Sequence, residues 1–161
     1  MDIAEINSSA KKLFNAYLND EIEKELQEYA RFFTKKDVIQ PETSGTFEDL
    51  MRLCSLAVDL QAVRERVVLL YLDIKKAKSR LDRLKKELLT KTKIITSFKK
   101  QSNKEMRDLF LYQKSKMVDT AYTRSKYLSE KCDLILSNID SHVWVLKNNS
   151  QVLSRAARTN D

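Results

Sequence analysis

From Leu53 to Leu88 apolar residues return in steps of three and four without a lapse: Leu53, Leu56, Leu60, Val63, Val67, Leu70, Ile74, Ala77, Leu81, Leu84 and Leu88. This spacing keeps one stripe of a helix apolar for about five heptads, the pattern of a coiled-coil seam. With one Gly and one Pro among 161 residues, the chain lacks the turn chemistry that a β-rich domain of this size needs. Its 42% hydrophobic content can supply a core, and its length suits a single domain. The expected fold class is all-α: a long antiparallel helical hairpin or coiled coil with shorter N-terminal helices.

Thr46, followed three residues later by Asp49, forms a capping box with Asp in place of Glu and starts the seam helix near Phe47. Before it lies the linker KKDVIQPETSG, whose Pro41 and Gly45 close an acidic N-terminal helical region over residues 1–40. In that region Ile3, Ile6, Ala10, Leu13 and Tyr17, then Ile22, Leu26, Tyr29 and Phe33, keep helical spacing. A second long pattern runs through Leu111, Lys114, Val118, Ala121, Ser125, Leu128, Cys132, Ile135, Ile139, His142, Leu146, Asn149 and Leu153. The intervening SFKKQSNKEM holds neither Gly nor Pro, which is compatible with one unbroken helix of about 110 residues. A turn is the favoured alternative, because Ser102 and Glu105 form a capping box and a hairpin buries each seam within one chain. Residues 47–158 then form the hairpin, with 75–88 facing roughly 113–126.

Charge is distributed unevenly along this hairpin. Residues 75–131 carry 18 basic and 6 acidic side chains, residues 1–50 carry 6 and 11, and the two remaining segments balance, against a net charge of +7 for the chain. The densest run is KKAKSRLDRLKK, Lys75 to Lys86, where bases occupy every heptad position except the two of the seam. One reading is a solvated coiled-coil surface. The other is a polyanion partner, since a phosphate backbone rewards Lys and Arg by counterion release and relieves their mutual repulsion. The candidate contacts are Lys75, Lys76, Lys78, Arg80, Arg83, Lys85, Lys86, Lys91, Lys93, Lys99, Lys100, Lys104, Arg107, Lys114 and Lys116. Phe98, Phe110, Tyr112, Tyr122 and Tyr127 are interleaved with these bases, either as stacking platforms for single-stranded bases or as seam packing. Few Asn or Gln accompany them, which favours backbone contact over base reading. The acidic N-terminal region could instead fold onto the basic arm and mask it.

Apolar residues thicken away from the charge. VVLLYL and VWVL are apolar on every side of a helix, more than a two-stranded seam buries, so the N-terminal helices or other copies of the chain must cover them. The candidate assembly surface comprises Val67, Leu70, Leu72, Ile135, Ile139, Val143, Trp144, Leu146, Asn149 and Leu153. Asn149 at a seam position suits a register or oligomer-state device.

Cys54 and Cys132 stand apart with no CxxC or Cys/His cluster, which suggests reduced thiols and no zinc site. His142 lacks neighbours at ligand spacing and reads as a core or interface histidine. No triad, paired-carboxylate or phosphate-loop arrangement occurs, so neither an enzyme nor a cofactor is expected. MDIAEINSSAKKLF does not resemble a secretory leader, no apolar run is long enough to span a bilayer, and the bases do not oppose an apolar face as an interfacial helix requires. A soluble cytoplasmic protein is expected.

The stretches FEDLMRL, RVVLLYLDIKKAKSRLDRLKKEL and KEMRDLFLYQKSKMVDTAYTRSKYLSEKCDLILSNIDSHVWVLKNNSQVLSR follow one another as a basic first arm, a polar break, a Lys- and Tyr-rich second arm and an apolar final stretch ending in bases. This order, from Phe47 to Arg158, resembles the phage recombination-mediator family of the UvsY type. The resemblance implies a homo-oligomer that binds single-stranded DNA and helps load a recombinase onto strands covered by single-strand-binding protein, in a host-cell cytoplasm. The basic arm would hold the DNA and the apolar C-terminal helix the assembly. The competing expectation is a structural coiled-coil adaptor or virion-associated protein that binds no nucleic acid.

Overall fold

The computed structural model describes residues 1–33, 46–100 and 103–159. They form five helices: α1 Ile3–Tyr17, α2 Asp20–Phe32, α3 Phe47–Ile94, the single turn α4 Thr96–Lys99, and α5 Lys104–Thr159. Among the described residues there is no strand, and the two long helices pack against each other as an antiparallel hairpin, as the seam pattern predicts. The linker with Pro41 and Gly45 lies outside the described residues.

Local chemistry sets the helix ends. Asp2 and Glu5 form a reciprocal capping box at the start of α1, each carboxylate accepting from the other residue's backbone N–H at 2.7 Å. Asn19 serves two helices at once: its Nδ2 donates to the Asn15 carbonyl at the end of α1, and its Oδ1 accepts from the Ile22 N–H at the start of α2. At α3 the expected box is present, with the Asp49 N–H donating to Thr46 Oγ1 and the Thr46 N–H to Asp49 Oδ2. After α3, the amides of Phe98 and Lys99 both donate to the Ile95 carbonyl, and the Phe98 and Phe110 rings lie 6.2 Å apart. The expected Ser102 cap falls outside the described residues. Asn103 caps α5 in the structure, its Oδ1 accepting from the Glu105 N–H. The chain therefore turns here and does not continue as one helix.

The helices build two compact units. The first comprises Met1–Glu23 and Tyr71–Glu130. Its core takes Ile6, Ala10 and Leu18 from the N-terminal segment, Ile74, Ala77, Leu81, Leu84 and Leu88 from α3, and Val118, Ala121, Ser125 and Leu128 from α5. Lys85 pairs with Asp119 across the hairpin, close to the expected facing. In this unit α1 packs with the two arms of the hairpin as a third helix, and one seam expectation is corrected. Lys114 is exposed and the seam position belongs to its neighbour Ser115, which is 7% exposed. The small side chain at 115 suits close approach of α1, and Asn7 Nδ2 donates to the Lys114 carbonyl at 3.2 Å.

The second unit comprises Lys24–Leu70 and Lys131–Asp161. Leu26 and Phe33 are buried with Leu53, Leu60, Val67 and Leu70 of α3 and with Cys132, Ile135, Ile139 and Leu146 of α5. Arg66 grips the Glu25 carboxylate with two nitrogens, at 2.6 and 3.2 Å, and Tyr29 donates its hydroxyl to the same group. The hydrogen bond from Arg66 is the main cause that lowers the Glu25 pKa; burial opposes it, and Tyr29 adds to it. Arg64 pairs with Asp140 at 3.0 Å. His142 packs its ring against Phe33, and its Nδ1 lies 2.7 Å from the Asn138 carbonyl, which can only accept. Nδ1 therefore carries the hydrogen.

Burial pushes the Cys132 thiol up to about 12, with the charge of Asp133 adding to it, whereas Cys54 is exposed. A thiolate reagent at neutral pH is expected to modify Cys54 alone in the native protein and Cys132 only after unfolding, as mass spectrometry would read. Leu81→Ala, at a fully buried seam position, is expected to cost about 2–5 kcal/mol in a denaturant titration.

Candidate nucleic-acid interface

All fifteen bases singled out from the sequence belong to the first unit. Lys78 and Lys85 are half-buried there and the other thirteen are exposed. Counted over their full sequences, the first unit has 19 basic and 12 acidic residues and the second 11 of each, so the whole net charge of +7 resides on the first. Each ion pair neutralises an acid and a base together, so pairing leaves this net charge unchanged and settles which bases stay unpaired.

Asp119 lies 2.8 Å from Lys85 Nζ and accepts from the Ser115 hydroxyl. Burial works to raise its pKa, but the hydrogen bonds from Lys85 and Ser115, with the Lys85 charge, outweigh it and hold the carboxyl below the ordinary value. Arg124, only 20% exposed, gathers three groups: the Leu18 carbonyl at 3.2 Å, Asp20 at 2.9 Å and Glu23 at 2.6 Å. Glu23 accepts also from the Tyr127 hydroxyl at 2.7 Å. Glu87 meets the Met1 amino group and Asp73 meets Lys76. By contrast, Arg80, Arg83, Lys86, Lys91, Lys93 and Lys116 are exposed and make no ion pair among the described residues. Their charge faces solvent.

The interleaved aromatics divide. Tyr122 is half-buried, with the ammonium groups of Lys78 and Lys85 at 5.8 and 5.3 Å from its ring. Phe110 pairs with Phe98 and lies under Lys114, and Tyr127 is tied to Glu23. Tyr112, 59% exposed, is the member that offers most of its ring to solvent.

Two open grooves flank α1 in this unit. One, about 470 Å³, runs between α1 and α3 past Lys12, Leu13, Tyr17, Arg80, Arg83 and Leu84. The other, about 750 Å³, lies between α1 and α5 and includes Phe14, Tyr112, Lys116 and Arg124 together with Asp20 and Asp119. Lys12 is absent from the sequence-derived set, since nothing in the sequence fixes where α1 docks.

Of the proposed assembly residues, Val67, Leu70, Ile135, Ile139 and Leu146 are buried within the chain, from 0 to 8% exposed, so intrachain packing already uses them. Val143 and Asn149 are half-buried, Trp144 is 67% exposed and Leu72, in the first unit, 46%. The Leu153 side chain lies outside the description. Leu69, within the VVLLYL run, and Leu134 of the second unit are also exposed; Leu134 has no sequence signal because the seam pattern marks only what faces inward. Among the described residues no three His, Cys, Asp or Glu side chains are grouped to hold a metal ion, and no helix is long and apolar enough to cross a membrane.

Comparison with known proteins finds no matching family model, no matching curated protein and no matching solved structure.

The depressed pKa of Asp119 gives its ion pair a defined pH dependence. A carboxyl whose folded value lies below its unfolded one contributes stability that is present above the unfolded value and is lost as pH falls through the folded one. Asp119→Asn is therefore expected to lower the melting temperature at about pH 6 and to match the native protein more closely at about pH 3, as paired thermal melts would register.

Proposed function

We propose that the protein is a non-enzymatic accessory that binds single-stranded nucleic acid without reading its sequence. The observation that carries this reading is the charge of the first unit, where the net +7 of the chain is concentrated and acids such as Asp119, Asp20 and Glu23 are bound to neighbouring bases. Such a surface repels itself, and a polyphosphate relieves the repulsion while gaining entropy from released counterions. The bases sit on several sides of α3 and α5 and do not form one stripe. That arrangement suits a flexible strand that can wrap more readily than a rigid duplex. Exposed Tyr112 adds a ring on which an unpaired base can stack.

In the recombination-mediator reading, the chain holds the strand and helps load a recombinase where single-strand-binding protein competes, within a host-cell cytoplasm. Copies of the chain assemble through apolar surface on the second unit, where Leu69, Leu134 and Trp144 are exposed at 57, 63 and 67%. The same exposed side chains favour a second reading, a structural coiled-coil adaptor whose partners are proteins alone.

Fluorescence anisotropy with a labelled strand of about 30 nucleotides and its duplex, across a salt series, separates the two. The first reading expects tighter binding to the single strand and affinity that falls steeply with salt. Replacing Lys86, Lys91 and Lys93 together by Ala is expected to weaken binding and to flatten the log–log salt slope by about 2, since each single-strand phosphate contact contributes about 0.7. Absence of binding at low salt would leave the adaptor as the better account.

A further inference from the structure

The acidic character of residues 1–50 makes the N-terminal region look like a mask for the basic arm. The geometry of α1 argues otherwise. On α1, Lys12, Leu13 and Tyr17 fall within one and a half turns of one another and share a face. On α3, Arg80, Arg83 and Leu84 do the same. The two faces line one groove of about 470 Å³, within the range of a site for a single small organic group. Leu84 is 8% exposed and, with half-buried Leu13, gives the groove an apolar floor, while Lys12, Arg80 and Arg83 are exposed at its rim. No carboxylate lines it.

This combination distinguishes it from the larger groove on the other side of α1. That groove has more aromatic surface, yet Asp20 and Asp119 line it, Arg124 is already committed to Asp20, Glu23 and the Leu18 carbonyl, and Asp119 is held ionised. A phosphate approaching it meets two carboxylates beside Lys116 and an Arg124 that is already paired. A phosphate approaching the smaller groove meets three cations in a lining without a carboxylate, the nearby Glu87 being paired with the Met1 amino group, and the attached base meets a tyrosine ring and an apolar floor.

We infer that α1 supplies half of a nucleotide-binding groove, with Lys12, Arg80 and Arg83 taking the phosphates of one stretch of single strand and Tyr17 stacking one of its bases. The inference rests on the nucleic-acid reading above and sharpens it: α1 is part of the interface and does not shield it. Arg can hold a phosphate with two parallel hydrogen bonds, and Lys12 across the groove adds a point charge from the opposite side. The strand is thereby gripped by two helices that are distant in sequence.

Deleting α1 would remove Ile6, Ala10 and Leu18 from the core and test stability more than binding, so point variants are needed. The experiment measures salt-dependent anisotropy of native protein, Lys12→Ala, Tyr17→Leu and Tyr17→Phe with a labelled single strand and with an abasic strand of equal length, and thermal melts confirm folding. Lys12→Ala is expected to weaken both strands and to flatten the salt slope by about 0.7. Tyr17→Leu is expected to weaken the normal strand about tenfold, within the worth of one stacked base, and to leave the abasic strand unchanged. Tyr17→Phe keeps the ring and should retain native affinity. If the native protein binds with a steep salt dependence while Lys12→Ala and Tyr17→Leu bind equally well, the groove is not part of the interface and the inference fails alone. If the native protein binds neither strand, the nucleic-acid reading fails and takes the inference with it.

Discussion

The interaction on which the rest depends is burial of the α3 stripe. Leu60, Val67, Ile74, Leu81 and Leu88 are each 0% exposed, spaced by seven residues, and removing such side chains from water contributes about 1.5–3 kcal/mol apiece before conformational entropy is charged against it. With that stripe facing α5, every other position of α3 is assigned a direction. Lys75, Lys76, Arg80, Arg83 and Lys86 point away from the seam because Ala77, Leu81 and Leu84 point into it, while Lys78 and Lys85 flank it half-buried. The charged surface is thus a geometric consequence of the core.

Alternation of three and four makes this stripe legible from sequence, and the α3 start is legible because Thr46 and Asp49 carry their capping chemistry in their spacing. The second seam is harder to read. Ser115, Ser125 and Ser129 have little apolar signal, but each hydroxyl is satisfied within its own helix, Ser125 and Ser129 donating to the carbonyls of Tyr122 and Ser125 and Ser115 to the Asp119 carboxylate. A serine so satisfied can be buried at low cost, which is how Ser115 takes the place that periodicity gives to Lys114. Thr92 does the same on α3, its hydroxyl donating to the Leu88 carbonyl.

Placement of α1 is less legible still. Ile6 and Ala10 announce an amphipathic helix, yet an apolar face names no partner, and overall charge suggests only that acid meets base. What positions the N-terminal segment is more local: the Asn7 amide on the Lys114 carbonyl and Arg124 on the Leu18 carbonyl, Asp20 and Glu23. Such contacts bring together residues more than a hundred positions apart, so sequence spacing carries no trace of them. Lys12 and Tyr17 escape a sequence-based search for the same reason, since each lines a groove only once α3 lies beside it.

Concentrating the excess charge on one unit ties its stability to ionic strength. Lys and Arg crowded on α3 and α5 repel one another over distances that salt screens, so added salt firms this part of the fold while the same ions compete for any polyanion it holds. A bound polyanion acts on the fold as salt does, with its charges fixed in place. Occupancy and rigidity of the first unit are therefore thermodynamically linked, and a strand that binds the folded form alone also holds it folded.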